Sequence, residues 1–170
     1  MSESSAVAAD PRISTTENSV IEARLAELGR PLPPVAAPVA AYVPAVVAGH
    51  QIFTSGQLPS VAGKLTVTGK VGAEVTAEQA KEAAAVAVVN ALAAIKSVIG
   101  DLDRVTRVIK VVGFVASVPE FTGQPGVING ASELLGQVFG EAGMHARSAV
   151  GVAVLPLDAP VEVELLVEFH

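Results

Sequence analysis

Chemistry in this chain concentrates where charged or hydroxylated residues stand at the ends of apolar strands. Arg147, in the run HARSAVGVAVLP, opens a stretch with no other charge as far as Pro156. A guanidinium in that place is either a rim residue with its charge in water or the anion-binding group of a site. Its planar fork can give a carboxylate two parallel hydrogen bonds, which a lysine ammonium does not match. The run VEVELLVEF alternates Val161, Val163, Leu165, Val167 and Phe169 with Glu162, Glu164, Leu166 and Glu168. That is the pattern of a strand with a core face and a solvated face. In FTSGQ, Ser55 and Gly56 stand where a strand stops. They make either an ordinary turn or a place where a ligand can reach backbone N–H groups. Tyr42 is the only tyrosine and sits beside a proline-rich segment, as a packing residue with a surface hydroxyl.

Other chemistries find no footing. His50, His145 and His170 lack ligand spacing, so no metal site is expected. GQLPSVAGK has the wrong spacing for a phosphate loop, and no serine lies in a nucleophile elbow. With no cysteine, disulfides and thiolate ligands are excluded. A net charge of −6 with only 11 Lys and Arg, none clustered, argues against nucleic acid as a partner. The start MSESSAVAADPR has no basic and apolar signal pattern, and no apolar run of spanning length free of Pro, Gly or charge is read. A cytoplasmic protein without membrane contact is expected.

These residues must be positioned by a compact fold, since 51% of the chain is hydrophobic and only 16% charged. Residues 1–16 are unpatterned and read as a disordered tail. Asn18 or Ser19 can cap a helix with Ile21, Leu25 and Leu28 on one face, ended by Gly29. Five prolines in residues 31–44 then give an extended linker. AVVAGHQIFTSGQL reads as two strands about a turn at Gly49, and PSVAGKLTVTGKVG as a loop. Thr76 and Gln79 match a capping box and open a long helix ending at Gly100, striped by Ala80, Ala84, Ala87, Val88, Ala91, Leu92, Ile95 and Val98. A β-branched strand is expected over 104–116. A second core helix carries Ile128, Ala131, Leu134, Leu135 and Val138 and stops at Gly140. The natural packing is an α+β fold: a mixed sheet with both long helices on one face.

The last two strands, joined by LPLDAP, read as a hairpin with Arg147 opposite Glu168 and Ala153 opposite Glu162. Arg147 and Glu162 would then lie near 20 Å apart at about 3.3 Å per residue. If both serve one small ligand, a neighbouring subunit has to supply one of them.

Together AYVPAV, FTSGQLP, NGASELLGQVFG, HARSAVGVAVLP and VEVELLVE resemble the RidA/YjgF family of reactive-intermediate deaminases, also known as endoribonuclease L-PSP or translation inhibitors. The resemblance covers about residues 38–169, with all blocks in family order. The N-terminal helix, with its linker in residues 17–37, looks like the family's longer branch. It implies a chorismate-mutase-like subunit over 38–170 in a homotrimer with interfacial clefts. It further implies cofactor-free hydrolysis of enamines and imines, such as 2-aminoacrylate, to 2-keto acids and ammonia. By position, Arg147 matches the arginine that binds the substrate carboxylate, and Glu162 the acid thought to place the hydrolytic water. Ser55 with Gly56 matches the polar edge of the cleft, Tyr42 the cleft tyrosine, and Asn129 lies near a cleft asparagine. Ala149 stands where many members have a cysteine, which excludes any role for that thiol. The connection ASVPEFTGQPGVING looks longer than in short members and could reshape the cleft. The alternatives to a deaminase are a non-catalytic trimer binding small carboxylates, as sensor or scaffold, and an endoribonuclease.

Overall fold

The computed structural model describes residues 19–35 and 41–170. The expected tail 1–16, Asn18 and part of the proline linker lie outside the described residues. The first helix, α1 (Val20–Glu27), starts at Ser19, whose hydroxyl accepts from the Glu22 amide. Ile21 and Leu25 are buried as expected, whereas Leu28 is left exposed. A helix this short needs a dock. Asp103 supplies it, accepting from Ser19 Oγ at 2.7 Å, Val20 N at 2.8 Å and Ile21 N at 2.9 Å. Burial alone would raise the Asp103 pKa, but these hydrogen bonds, with the charge of Arg24, hold it below the usual carboxylate range. Lys96 pairs with Glu22, and Arg24 donates to the Val138 carbonyl at 2.7 Å.

Strands β1 (Ala45–Ala48) and β2 (Gln51–Thr54) form the expected hairpin about Gly49, which has φ of 62°. The stretch read as a plain loop contains a second, two-stranded hairpin, β3 (Ser60–Val61) and β4 (Lys64–Leu65). Its turn residues Ala62 and Gly63 both have positive φ, as a tight two-residue turn requires, and an Ala-Gly pair does not advertise that turn. The long helix α2 (Ala77–Ile99) has the complete capping box of Thr76 and Gln79 and stops at Gly100. Its expected stripe is buried except for Val98. α2 is also long and apolar enough to cross a membrane, with mean hydropathy 1.7, but 72% of its apolar window is buried inside this fold.

Strand β5 (Val105–Ala116), helix α3 (Gln124–Phe139), strand β6 (Ala146–Val152) and strand β7 (Val161–Phe169) complete the chain. The sheet order is β1-β2-β7-β5-β6, with β6 parallel to β5 and the other pairs antiparallel. The expected β6–β7 hairpin does not form, and neither Arg147–Glu168 nor Ala153–Glu162 is a pair. β5 lies between the two strands because its Val108, Val111 and Val115, all fully buried, belong in the centre of a sheet with a partner on each side. Residues 153–160 cross the end of β5, with a 3-10 turn at Pro156–Asp158, so the turn signal in LPLDAP marks a crossover.

Helices α2 and α3 pack on each other and on the sheet, α2 against β7, β1 and β2 and α3 against β5 and β6. They cover the face bearing Ile52, Val111, Val163, Leu165 and Val167. By strand alternation the other face carries Val46, Phe53, Val150, Glu162 and Glu164. Val46, Phe53 and Val150 are 53%, 45% and 46% exposed there.

Candidate functional site

Arg147 lies on edge strand β6, level with Val111 of β5 and, beyond it, Leu165 of β7. Those neighbours are buried under the helices, so Arg147 projects from the helix face. There it meets one side of α3. Nη1 donates to Asn129 Oδ1 at 2.8 Å and to Ser132 Oγ at 3.1 Å, and Nη2 to the Pro125 carbonyl at 3.3 Å. Positions 125, 129 and 132 fall on one helical stripe, which is why a single side chain reaches all three. A guanidinium has five N–H donors, and three are used here. The two left are Nε–H and one on Nη2, the side-on edge that matches a carboxylate. Among the described residues no carboxylate pairs with Arg147. A rim residue would be solvated, whereas this one is half-buried, held by neutral acceptors and keeps its charge uncompensated. The arrangement leaves one edge of the guanidinium open to an anion.

Glu162 projects from the opposite face. Val161, Val163, Leu165 and Val167 point into the core, 0 to 2% exposed, and alternation turns Glu162 the other way. Its register partner is Phe114. The carboxylate lies on the α-carbon of Gly56: a β-carbon there would overlap Glu162 Oε1, so glycine is the one residue that lets the acid in. Gly56 is fixed by its neighbour Gln57, which is buried and bridges Val163 through both backbone groups at 2.9 and 3.0 Å. Burial, then repulsion from Glu164, raises the Glu162 pKa. No hydrogen bond occupies its oxygens among the described residues, so the group can take up or release a proton, or hold a water.

Ser55 belongs beside Glu162 and Gly56, but its hydroxyl proton is committed. Its Oγ donates to the Val43 carbonyl at 2.6 Å, while its amide donates to Pro44 O at 2.8 Å. The serine thus ties down the segment carrying Tyr42, a ring 46% exposed, and keeps only acceptor lone pairs for a ligand. Ser55, Gly56 and Glu162 form one group, with Tyr42 on the segment that Ser55 ties down; Arg147 and Asn129 form another. By strand and residue spacing the two groups are about 14 Å apart in the sheet, and they face opposite sides of it. The separation expected from the hairpin persists, for a different reason.

Sequence reading missed Ser132 and the Pro125 carbonyl. The signal was available in NGAS, where Ser132 follows Asn129 by three residues on a helix. His145 was considered only as a metal ligand, yet it contacts Ser132.

A YjgF/chorismate mutase-like family model matches residues 22–169. The chain belongs to the YjgF family. Protein TCP17 of Trypanosoma cruzi is 45% identical over 159 residues, which is 93% of this chain and 99% of that protein. The crystal structure of Atu1372 from Agrobacterium tumefaciens, a protein with unknown function, superposes with a TM-score of 0.84 at 51% identity, over 89% of this chain and 93% of that one. At greater distance, Escherichia coli TdcF with bound serine has a TM-score of 0.53 at 26% identity, over 82% of this chain and 94% of that one. The YjgF match takes in both groups of site residues and begins inside α1. Ala149, on the same strand face as Arg147, packs against the core, so the wall beside the guanidinium in this YjgF-family chain is a methyl group.

Proposed function

We propose that this YjgF-family chain hydrolyses small reactive 2-imino acids to 2-keto acids and ammonia, at clefts where two copies in a homotrimer meet. The observation that carries the reading is the division of the site. A carboxylate fork and a proton-transferring acid lie on opposite faces of one sheet, so they act on one small ligand only when different copies supply them. The TdcF structure with bound serine supports a small amino-acid-like ligand.

In this mechanism 2-aminoacrylate first tautomerises, its enamine β-carbon gaining a proton and its nitrogen losing one, to give 2-iminopropanoate. The Nε–Nη2 edge of Arg147 holds the carboxylate. Glu162 from another copy takes a proton from a water that adds to the imine carbon, and the C=N electron pair moves to nitrogen, which is protonated. The carbinolamine then collapses: C–N breaks, the nitrogen leaves as ammonia with a proton, and the hydroxyl oxygen becomes the keto oxygen. The imine carbon is already electrophilic, so orientation and proton transfer are what the protein has to add. Burial raises the Glu162 pKa, which makes it a stronger base than an ordinary carboxylate. Tyr42 and the lone pairs of Ser55 line the water side, and Gly56 leaves room for the acid.

The test couples the purified protein to a pyridoxal-phosphate enzyme that releases 2-aminoacrylate and follows the imine signal. Faster decay is expected, with no acceleration by Arg147→Ala alone and roughly a hundredfold less by Glu162→Gln alone. Co-expressing the two variants is expected to restore about a quarter of the wild-type rate, since random assembly gives about one interface in four an intact pair. Absence of acceleration by the wild type, or equal acceleration by Arg147→Ala, sinks the deaminase reading. No recovery in the mixture sinks the shared cleft.

A second reading is favoured by the completeness of the Arg147 group within one chain, which suits a non-catalytic binder of small carboxylates. It predicts saturable binding of 2-keto acids, lost in Arg147→Ala, without turnover. An endoribonuclease reading has less support, because the chain carries net charge −6 and no basic stripe to track a phosphate backbone.

A further inference from the structure

The fork of Arg147 presents one edge because its other edge is held, and the holding extends one residue further than the helix. Ser132 Oγ accepts from Arg147 Nη1 at 3.1 Å and lies 2.9 Å from His145 Nε2. On its other side His145 Nδ1 meets the carbonyl of Gly143. A carbonyl can only accept, so the neutral ring carries its proton on Nδ1 and offers a lone pair at Nε2. Ser132 then donates its single proton to His145 and turns its lone pairs toward the guanidinium. Gly143 is itself fixed: it is buried, and a β-carbon there would overlap the Leu135 carbonyl of α3. The direction of every proton from Arg147 through Ser132 to His145 is therefore set by a backbone carbonyl locked against a helix.

We infer that Ser132 and His145 are positioning residues for the Arg147 fork. His145 fixes where the Ser132 proton points, and Ser132 with Asn129 occupies both protons of Nη1. The guanidinium then offers a substrate carboxylate its Nε–Nη2 edge alone, and the imine carbon has one orientation relative to the water. Without Ser132 one Nη1 proton is freed and only Asn129 and the Pro125 carbonyl hold the guanidinium, so the fork rotates and presents the carboxylate in a second, misplaced pose. The inference rests on the proposed carboxylate role of Arg147.

The experiment is calorimetry and crystallography with 2-oxobutanoate on wild type, Arg147→Ala, Ser132→Ala, Ser132→Thr, His145→Ala and His145→Gln. In wild type the carboxylate is expected on the Nε–Nη2 edge. Ser132→Ala and His145→Ala are expected to bind roughly fivefold more weakly, with the guanidinium rotated or the carboxylate on both edges. Ser132→Thr keeps a hydroxyl, and His145→Gln puts an acceptor near the place of Nε2, so both are expected to restore the single edge. Wild-type affinity and the same edge in Ser132→Ala and His145→Ala would overturn the inference alone. Equal weakening in the alanine and conservative variants, with the edge unchanged, would also overturn it, because that is how a merely structural role behaves. Failure of the wild type to bind, or binding that Arg147→Ala leaves intact, would instead overturn the carboxylate role itself.

Discussion

The two groups of polar residues are built on contrary plans. Around Arg147 nearly everything is satisfied: three acceptors on one stripe of α3 hold the guanidinium, and the remaining donors form one edge. Around Glu162 nearly nothing is. The acid is placed by shape, by the missing side chain of Gly56 and the pleat of β7, and its oxygens are unpartnered among the described residues. A group that recognises a fixed anion gains from rigidity. A group that moves a proton gains from a perturbed pKa and open valences. The difference shows that hydrogen bonding and steric exclusion can each position a side chain, with opposite effects on its reactivity.

Substitutions can break that contrast, most strongly at the arginine. Arg147→Ala is expected to abolish 2-keto acid binding in calorimetry, a loss of at least about a hundredfold for a bidentate charged pair. Its melting temperature should change little, because no buried ion pair is broken. Glu162→Gln is expected to leave that binding within about threefold while imine turnover falls by roughly a hundredfold, the range of a lost proton-transfer group. Comparable losses of binding in both variants would erase the distinction drawn here. Gly56→Ala pushes a β-carbon into the Glu162 carboxylate. The flexible end of the acid can yield, so the fold should survive while turnover drops roughly tenfold and the pH profile shifts as Glu162 moves toward water.

The smallest effect is on stability. The folded-state pKa of Glu162 is raised, so the folded chain binds the extra proton. Its contribution is most favourable below the unfolded carboxyl pKa and is lost as pH rises through the folded value. Urea midpoints of wild type should therefore fall relative to Glu162→Gln on going from about pH 4 toward neutrality. Parallel curves would show that Glu162 is fully solvated. Asp103 supplies the opposite sign: its lowered pKa makes α1 docking weaken as pH falls below the usual carboxylate range.

Local signals carried the elements. The capping box at Thr76 and Gln79, the small-residue stripe of α2 and the positive-φ glycines at 49 and 100 are each written within a few residues of where they act. Pairing was not legible in the same way. β6 and β7 follow one another and a turn-like connection joins them, so nearest-neighbour reasoning makes a hairpin. Only the demand of β5 for partners on both sides separates them, and that demand comes from the whole sheet. The same limit divides the site. Arg147, Ser55, Gly56 and Glu162 each stood out by type and place, but which of them share a face depends on register, and Ser132 with His145 became visible only when α3 was laid beside β6.

The first helix has a consequence in time. Its anchors are Lys96, Asp103 and Val138, which lie 74 to 114 residues beyond their partners in the chain. During synthesis α1 leaves the ribosome first among the described elements, long before the surface that fixes it exists. Eight residues alone do not hold a helix in water. The earliest segment made is therefore among the last to be ordered, and its docking marks completion of α3, the last-made part of the surface that holds it.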